Sequence, residues 1–338
     1  MFGGTLYNAV ASLCALVSCI LACASRAGAH EVFVTNEKDN TVSVIDTITL
    51  NVVRTIAVGK RPRGIIFSKD FSQFFVCASD SNAVQVFESS SGKQLFDLPS
   101  GADPEQFALS RDGKRLYIAN EDNAVTTVVD IESRQVVKQI DVGVEPEGMA
   151  ISPDDALAVT TSETTNMAHV IDTKTFQVVG NILVDQRPRH AEFTPDGRKV
   201  LVSSEIGGTV SIIDVSRGEV ERKISFSIAG VAATSIQPVG ISIVKDGSLA
   251  YVALGPANRV AVVDLKTFEV KKYFLVGQRV WHLALTPDED FLFTTNGVSN
   301  DVTVIDLAQG RAINSIKVGR YPWGLALRPA NSMTAGSK

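Results

Sequence analysis

One repeat unit occurs seven times along the 338-residue chain, and the copies keep almost the same spacing. Each copy is marked by a hydrophobic residue followed by an acidic one, at Ile45-Asp46, Phe87-Glu88, Val129-Asp130, Ile171-Asp172, Ile213-Asp214, Val263-Asp264 and Ile305-Asp306. Successive copies are 42 residues apart, apart from one interval of 50. A period of roughly 40 residues with β-rich content in each unit is typical of a propeller. The repeat therefore predicts an all-β protein with the architecture of a seven-bladed β-propeller.

Each unit contains four short runs with the composition of strands. In the first unit these runs are 33–35, 42–45, 52–56 and 64–67. Their polar and apolar residues alternate and many are β-branched, whereas the segments between them are rich in Gly, Pro, Asn and Asp, which favour turns. No segment shows sustained helical periodicity. We therefore expect four strands in each blade.

Several runs resemble the YVTN family of β-propeller repeats. The resemblance is carried by Phe33-Val34-Thr35-Asn36, by Tyr117-Ile118-Ala119-Asn120 and by a repeated Pro-x-Gly run, and it covers the chain from residue 30 onwards. It implies that the Pro-x-Gly run is the innermost strand of each blade and that the YVTN-like run is the second. Because the repeats begin with a second strand and end with an innermost one, we expect one blade to be shared between residues 31–58 and 321–328. Such closure hides the strand edges of an open array.

The repeat number and chain length also resemble one subfamily, the β-propellers associated with alcohol catabolism that depends on pyrroloquinoline quinone (PQQ). Genes of this subfamily accompany transport components. The resemblance implies PQQ as a candidate cofactor, and a PQQ-dependent dehydrogenase or transport components as candidate partners. No Cys-x-x-Cys-His motif for covalent haem is present in the sequence. A net charge of −5 without a basic stripe argues against nucleic acid, and we expect a monomer.

The first 29 residues have the features of a cleavable signal peptide. An apolar stretch from Ala9 to Ala24 precedes Ala27-Gly28-Ala29, which fits a small-residue cleavage site. The stretch is too short for a confident membrane span. We therefore expect a periplasmic protein with its propeller over residues 30–330, a short tail over 331–338 and no transmembrane segment in the mature chain. Lipid attachment at Cys19 or Cys23 is the alternative.

At one end of the predicted channel, equivalent positions of the seven repeats carry different types of residue. Because neighbouring strands run antiparallel, the connectors into the innermost strands and those after the second strands emerge together, at the channel mouth. Arginine and tryptophan can hold a planar anion such as PQQ by paired hydrogen bonds and stacking. We expect a ligand site formed by Arg61, Arg63, Glu105, Glu147, Arg187, Arg189, His190, Arg279, Trp281, His282 and Trp323. The alternative is that these residues form Arg–Glu pairs between blades without binding a ligand.

Three functional hypotheses follow from this arrangement. We favour a non-catalytic protein that binds a ligand or partner at the mouth. The second is an enzyme, a lactonase-like hydrolase or an oxidoreductase subunit, that uses Glu105, Glu147, His190 and His282 with a metal. His190 and His282 occupy the same repeat position two blades apart, but a metal site usually needs a third protein ligand; we therefore expect no metal. The third is a structural docking module.

The docking hypothesis depends on the one longer unit. The interval of 50 residues contains an insertion within 222–238, which is rich in small and apolar residues. It lengthens a connector on the mouth face. Long loops in compact repeats are often functional, so we expect a lid or a docking element there.

Overall fold

The structure, a computed structural model, describes residues 29–332. The predicted signal peptide, apart from Ala29, lies outside the described residues, as does most of the predicted C-terminal tail. Within residues 29–332, no helix has the length and apolar character needed to cross a membrane.

Seven four-stranded antiparallel sheets form the blades of a β-propeller. Blades 1 to 3 consist of β4–β7 (Pro62–Phe67, Gln73–Ala78, Ala83–Glu88, Gln94–Pro99), β8–β11 (Pro104–Leu109, Arg115–Asn120, Val125–Asp130, Gln135–Asp141) and β12–β15 (Pro146–Ile151, Leu157–Ser162, Met167–Asp172, Gln177–Leu183). Blades 4 to 6 consist of β16–β19 (Pro188–Phe193, Lys199–Ser204, Thr209–Asp214, Glu219–Ser225), β20–β23 (Ile241–Ile243, Leu249–Ala253, Arg259–Asp264, Glu269–Leu275) and β24–β27 (Val280–Leu285, Phe291–Asn296, Asp301–Asp306, Arg311–Lys317). The seven-bladed architecture predicted from the repeat is confirmed.

Blade 7 combines the two ends of the repeated region. Its strands are β1 (Glu31–Asn36), β2 (Thr41–Asp46), β3 (Asn51–Ala57) and β28 (Pro322–Arg328), in the order β28-β1-β2-β3. β1 pairs with β28 through the Cα partners Val32 and Leu327, and Phe33 and Ala326. The predicted closure is therefore confirmed, and the innermost strands contact one another in a complete ring.

Apolar side chains fill the spaces between blades. One cluster joins blades 7 and 1 through Phe33, Phe67, Phe74 and Phe87, and the rings of Phe33 and Phe67 meet edge to face at 4.9 Å. The outermost strands are largely exposed along their length, as the burial pattern of β3 shows. The core therefore lies between the three inner strands of adjacent blades, and the outermost strands cover it.

A repeated asparagine positions the start of most innermost strands. The residue before the Pro position has positive φ in six blades: Arg61, Asp103, Glu145, Arg187, Arg279 and Tyr321. In five of these blades its N–H donates to an asparagine Oδ1 of the preceding blade, as Arg187 does to Asn166 at 3.0 Å. The asparagines themselves have positive φ, which asparagine tolerates better than most residues. Blade 2 has Ala124 at this place, at φ 53°.

The insertion packs between blades 4 and 5. It contains a short 3₁₀ helix, Ala233–Ser235; three other 3₁₀ turns lie at Ser79–Ser81, Glu121–Asn123 and Ala330–Ser332. Phe226 and Ile236 belong to the buried cluster shared by these two blades, and Gln237 Oε1 accepts a hydrogen bond from Arg279 at 2.7 Å. The segment thus fills a gap between blades, and among the described residues none of 226–240 lines the central cavity.

Candidate functional site

The charged residues predicted at the channel mouth form two groups of ion pairs, one around Glu105 and one around Arg189, which together we call the network. Arg61 contacts Asp103 and Glu105, and Arg63 contacts Glu105 at 3.4 Å. On the opposite side, Arg187 lies 2.8 Å from Glu163, and Arg279 contacts Glu205. These pairs join residues of different blades, so the network connects much of the ring.

Arg189 is the most enclosed cation of this network. It is 5% exposed and contacts three carboxylates, those of Glu147 at 3.1 Å, Glu163, and Glu205 at 3.6 Å. Although burial opposes it, the surrounding glutamates raise the pKa of Arg189 above its usual range. A buried cation with three carboxylate partners has little capacity left for an external anion. Arg189 therefore acts as the centre of its group of ion pairs.

Burial also shifts the pKa of the carboxylates. It raises the pKa of Glu105 well above its usual range, although Arg63 opposes this, and it raises the pKa of Glu163 to about 7 against the effects of Arg189 and Arg187. The pKa of Glu205 is lowered instead, because Arg189 and Arg279 together outweigh its burial. Carboxylates that share a site rarely all ionise at the same pH. The network therefore holds protons as well as charges near neutral pH.

The two tryptophans complete the closure of the mouth. The guanidinium of Arg279 lies 4.0 Å and that of Arg189 5.5 Å from the ring centre of Trp281, while Arg63 lies 5.1 Å from that of Trp323. Trp323 is 1% exposed. The stacking of arginine on tryptophan predicted from the sequence is present, but the carboxylates of neighbouring blades bind these same arginines. Protein side chains, rather than an open pocket, occupy the mouth.

A layer of polar side chains lies beneath the mouth because glycines alternate with larger residues. A Cβ on Gly64, Gly148, Gly240 or Gly324 would lie within 2.8 Å of a main-chain oxygen in the next blade. The intervening blades have Gln106, His190 and His282 at this position. Glycine on one blade thus leaves room for the main chain of the next blade, which in blades 2, 4 and 6 carries the larger side chain.

The two histidines of this layer lie next to Trp323. The ring centres of His190 and His282 are 5.6 Å apart, and those of His282 and Trp323 are 4.3 Å apart. Burial and the nearby cationic groups lower the pKa of His282 well below its usual value, so its imidazole is neutral. His190 Nδ1 lies 3.2 Å from Gln106 Oε1, and Gln106 Nε2 donates to the carbonyl of Arg189. In the neutral form of His190, Nδ1 is therefore the donor and Nε2 the acceptor.

These side chains line one end of a cavity of about 490 Å³ in the channel, which we call the chamber. Its walls are formed by innermost strands and include Phe107, Met149 and Leu283. At the other end, the exposed Lys245 and the half-buried Glu289 line it, in the turns that follow β20 and β24. The chamber therefore opens on the face opposite the mouth, which we call the turn face.

Three buried nitrogen atoms of this layer have no hydrogen-bond partner in the described part of the chain. They are His190 Nε2, His282 Nε2 and Trp323 Nε1. All three residues line the chamber. A buried polar atom without a partner costs about 1–3 kcal/mol, and the residues that carry these three atoms all line the same cavity.

Sequence reasoning missed the charged chamber residue next to His190, which is Glu192. Its Oε2 lies 3.7 Å from His190 Nε2, and its side chain is 40% exposed. The corresponding residues of the other blades are Ile66, Ala108, Ala150, Ser242, Ala284 and Ala326. Glu192 is the single charged residue at this repeat position, and a comparison of this position, two residues after the Gly position, along the repeats would have found it.

The residues considered from the sequence as metal ligands, His190 and His282, are not the residues that cluster in the structure. Within the described part of the chain, the one group of three metal-ligating side chains in close proximity is Asp103, Glu105 and Glu121, which have one oxygen each within 4.8 Å of the others. Among the residues that the structure describes, His190 and His282 have no third ligand at that distance. The sequence pattern does not show that Asp103 and Glu121 converge on Glu105.

All eleven residues predicted for the site lie in this one region. Arg61, Arg63, Glu105, Glu147, Arg187, Arg189, Arg279 and Trp281 belong to the closed mouth, whereas His190, His282 and Trp323 also line the chamber. The structure thus separates the predicted set into a closing layer and a cavity-lining layer.

The sequence matches the family described as "Choice-of-anchor I domain" over residues 124–323. No curated protein sequence matches the chain. Among solved structures, Kuenenia stuttgartiensis hydrazine synthase is similar with a TM-score of 0.75 at 22% identity, over 81% of this chain and 91% of that one. A putative 6-phosphogluconolactonase from Bacteroides uniformis has a TM-score of 0.75 at 16% identity, over 89% of this chain and 100% of that one. A second, from Bacteroides fragilis, has a TM-score of 0.74 at 19% identity, over 90% and 99%. At these identities the similarity establishes the fold only.

Proposed function

The chain belongs to the choice-of-anchor I domain family, and we propose that it is an exported binding protein that holds a small polar ligand in the chamber. Membership of this family indicates a protein of the cell surface or the secreted fraction. We place it in the periplasm, after cleavage of the predicted signal peptide. The ligand enters from the turn face, because the mouth is filled by its own side chains.

The observation that carries this proposal is the set of three buried nitrogens without hydrogen-bond partners, each on a residue that lines the chamber. Trp323 Nε1 is a donor, and His190 Nε2 is an acceptor in the tautomer described above. Ligand cavities typically combine apolar walls with a few convergent polar groups, within a volume of roughly 300–1,000 Å³. The chamber has these features, and its volume of about 490 Å³ suits a molecule of modest size.

The charges around the chamber favour an uncharged ligand. His282 is neutral, and Glu192 adds a carboxylate next to His190. An indole N–H, two imidazoles and a carboxylate are suited to hydroxyl and carbonyl groups, which donate and accept hydrogen bonds. We therefore propose an alcohol, an aldehyde or a related neutral compound as the ligand.

This ligand class fits one part of the role implied by the PQQ-associated subfamily. PQQ is planar and carries three carboxylates, and the arginines that could bind them already contact glutamates, as Arg189 contacts Glu147 and Glu163. We propose that the protein serves such an oxidation system by binding the alcohol or aldehyde, rather than the quinone. Partners among its dehydrogenase or transport components remain part of this proposal.

Fluorescence can test the chamber because the chain has only two tryptophans. In Trp281→Phe the remaining Trp323 reports on the chamber, and in Trp323→Phe the remaining Trp281 reports on the mouth. The variant Trp281→Phe is titrated with benzyl alcohol, benzaldehyde and PQQ, and calorimetry on the wild type measures the same affinities. We expect benzyl alcohol or benzaldehyde to change the Trp323 emission and to bind more tightly than PQQ.

Two substitutions locate the binding. Trp323→Phe keeps an aromatic ring but removes the Nε1 donor, and His282→Gln replaces the neutral imidazole. Both should weaken binding about tenfold, the effect of one lost hydrogen bond of about 1.4 kcal/mol. Trp281→Phe, at the same repeat position as Trp323 but outside the chamber lining, is the matched control and should leave the affinity unchanged. Tighter binding of PQQ than of either neutral probe, or equal affinities in all variants, would contradict the proposal.

One observation favours a second candidate, a hydrolase. Inside the chamber, His190 would act as a general base with Glu192 as its partner. Two of the similar structures are putative 6-phosphogluconolactonases. Glucono-δ-lactone and 6-phosphogluconolactone are the substrates to test. Hydrolysis above the spontaneous rate that is lost in Glu192→Gln would favour the enzyme over the binding protein.

A further inference from the structure

Two hydrogen-bond acceptors lie close together in the chamber. His190 and Glu192 are both on β16 and both line the cavity, and His190 Nε2 is 3.7 Å from Glu192 Oε2. Gln106 Nε2 donates to the carbonyl of Arg189, so Gln106 Oε1 is the atom that lies 3.2 Å from His190 Nδ1. An amide oxygen only accepts, so in the neutral imidazole Nδ1 has the proton and Nε2 has a lone pair. Both atoms at the 3.7 Å separation therefore accept hydrogen bonds.

This pair of acceptors needs a donor that the described chain does not supply to His190. Two acceptors form no hydrogen bond with each other, and 3.7 Å is also longer than such a bond. His190 Nε2 is buried and has no partner within residues 29–332, whereas the carboxylate of Glu192 is partly exposed. A hydroxyl oxygen placed about 2.8 Å from each of the two atoms spans a gap of this width. The geometry thus suits an O–H group of a ligand.

The acceptor pair treats an alcohol and an aldehyde differently. A hydroxyl group donates and accepts hydrogen bonds, whereas a carbonyl oxygen only accepts. A carbonyl oxygen at this place would leave His190 Nε2 unpaired and would lie against the negative charge of Glu192. Trp323 Nε1 can donate to either group, so it does not separate the two compounds. A site in which one of two similar ligands leaves a buried polar group unpaired prefers the other ligand.

The residues level with Glu192 give the chamber a polar and an apolar side. At this repeat position, four blades carry alanine: Ala108, Ala150, Ala284 and Ala326. The other three residues are Ile66 on blade 1, Glu192 on blade 4 and Ser242 on blade 5, and all three line the cavity. The innermost strands contact one another in the order of the blades. In a ring of seven, blade 1 is therefore opposite the boundary between blades 4 and 5.

Other lining residues extend this division. Lys245 and Glu289, the other two charged residues of the lining, belong to blades 5 and 6. Blades 7, 1 and 2 contribute Leu327, Ile66 and Phe107 to the opposite wall. The alanine side chains between the two sides are too short to fill the channel. A ligand with one polar end and an apolar body matches both sides.

We propose that the chamber selects an alcohol with an apolar body, and that Glu192 discriminates against the corresponding aldehyde; both statements rest on the proposed binding of a neutral ligand. The hydroxyl group donates to the acceptor pair on blade 4, and the apolar body extends toward Ile66 on blade 1. A binding protein with this preference holds the substrate of an alcohol oxidation and releases its product.

Calorimetry on the full chain without its signal peptide tests this preference. At pH 8, which favours neutral imidazoles, benzyl alcohol should bind about tenfold more tightly than benzaldehyde, the effect of one additional hydrogen bond. In Glu192→Gln an amide group replaces the carboxylate and can donate to the carbonyl oxygen, so the ratio of the two affinities should fall to about one. Glu132→Gln, the same change at an exposed residue outside the chamber lining, is the matched control and should keep the wild-type ratio.

A second pair of probes tests the apolar side. Cyclohexanol and myo-inositol share a cyclohexane ring, but the first has a single hydroxyl group and the second has one on every carbon. The side chains of Leu327, Ile66 and Phe107 offer no hydrogen bonds to the additional hydroxyl groups, and burying a hydroxyl group without a partner is unfavourable. Cyclohexanol should therefore bind at least about tenfold more tightly than myo-inositol.

The outcomes separate this selectivity from the proposed function. Equal affinities of the wild type for benzyl alcohol and benzaldehyde, or an unchanged ratio in Glu192→Gln shown to be folded by circular dichroism, would overturn the role of Glu192. Binding of myo-inositol as tightly as cyclohexanol would overturn the preference for an apolar body. In each of these cases a neutral ligand still binds, so the proposed function stands. Absence of binding by every probe at millimolar concentration would contradict the proposed function and the selectivity together.

Discussion

Replacing Arg189 by methionine distinguishes a structural network from an anion-binding site. The substitution keeps much of the side-chain volume but leaves Glu147, Glu163 and Glu205 without their shared cation. Removing one partner of a buried ion pair costs about 3–5 kcal/mol. Since small domains are stable by about 5–15 kcal/mol, we expect Arg189→Met to lose a large part of the free energy of unfolding.

The matched control is two residues away. Arg187 contacts Glu163 and Glu205, but its side chain is 45% exposed. Ion pairs that water can reach contribute about 1 kcal/mol or less. Arg187→Met should therefore have an effect several times smaller than Arg189→Met.

Urea unfolding followed by circular dichroism, at pH 8 and at pH 5, measures both effects. The pKa of Glu163 is raised to about 7, so at pH 5 this carboxyl is protonated and one uncompensated charge is absent from the variant. The loss caused by Arg189→Met should therefore be smaller at pH 5 than at pH 8. A loss below about 1 kcal/mol at pH 8, or one equal to that of Arg187→Met, would refute the structural interpretation of the mouth.

Two further predictions concern the same end of the channel. The pKa of Glu163 is raised from 4.5 to about 7, so between these pH values the folded protein binds more protons than the unfolded chain. As the pH rises through this window, the free energy of unfolding of the wild type should fall by up to about 3 kcal/mol relative to that of Glu163→Gln. Parallel pH profiles of the two proteins in urea unfolding would contradict this. Ala124 has a φ of 53°, a backbone conformation that is unfavourable for alanine. Ala124→Asn should stabilise the protein by about 1 kcal/mol, because asparagine tolerates this conformation and can accept a hydrogen bond from the N–H of Glu145. Asn166→Ala removes the existing hydrogen bond from the N–H of Arg187 and should destabilise the protein. A lower thermal midpoint for Ala124→Asn than for the wild type would show that the repeated asparagine is not stabilising.

The strand pattern could be predicted because it depends on local sequence, and the closure of the ring because the resemblance to YVTN repeats implies the order of strands within a blade. The repeated hydrophobic–acidic step fixes the number of blades, and the phase of the repeat at Phe33 and Pro322 fixes the shared blade. The gathering of Arg63, Glu105 and Trp323 at one end follows from the same register. These features need no knowledge of how far side chains reach.

The closure of the mouth could not be predicted in the same way. Whether Arg189 points into water or into three glutamates depends on the width of the ring and on contacts between residues of different blades. The pairing of His190 with Gln106 joins residues 84 positions apart. The alternation of glycine with Gln106, His190 and His282 was visible in the sequence, but its steric reason, the approach of the next blade's main chain, appears only in the structure.

The molecule therefore combines a closed end and an open end of one channel. The arginines and glutamates of the mouth connect the blades, and the histidines and Trp323 below them face a cavity that opens on the turn face. This division explains why the same repeat positions contain both buried ion pairs and unpartnered nitrogens.

The most direct test of this account is a fluorescence titration of Trp281→Phe with a neutral alcohol or aldehyde. Trp323 is then the only tryptophan and lies in the chamber lining. The account predicts a saturable change in its emission with benzyl alcohol or benzaldehyde, weakened about tenfold by the additional change His282→Gln. No change with either compound at millimolar concentration, together with a saturable response to PQQ, would contradict a chamber built for an uncharged ligand.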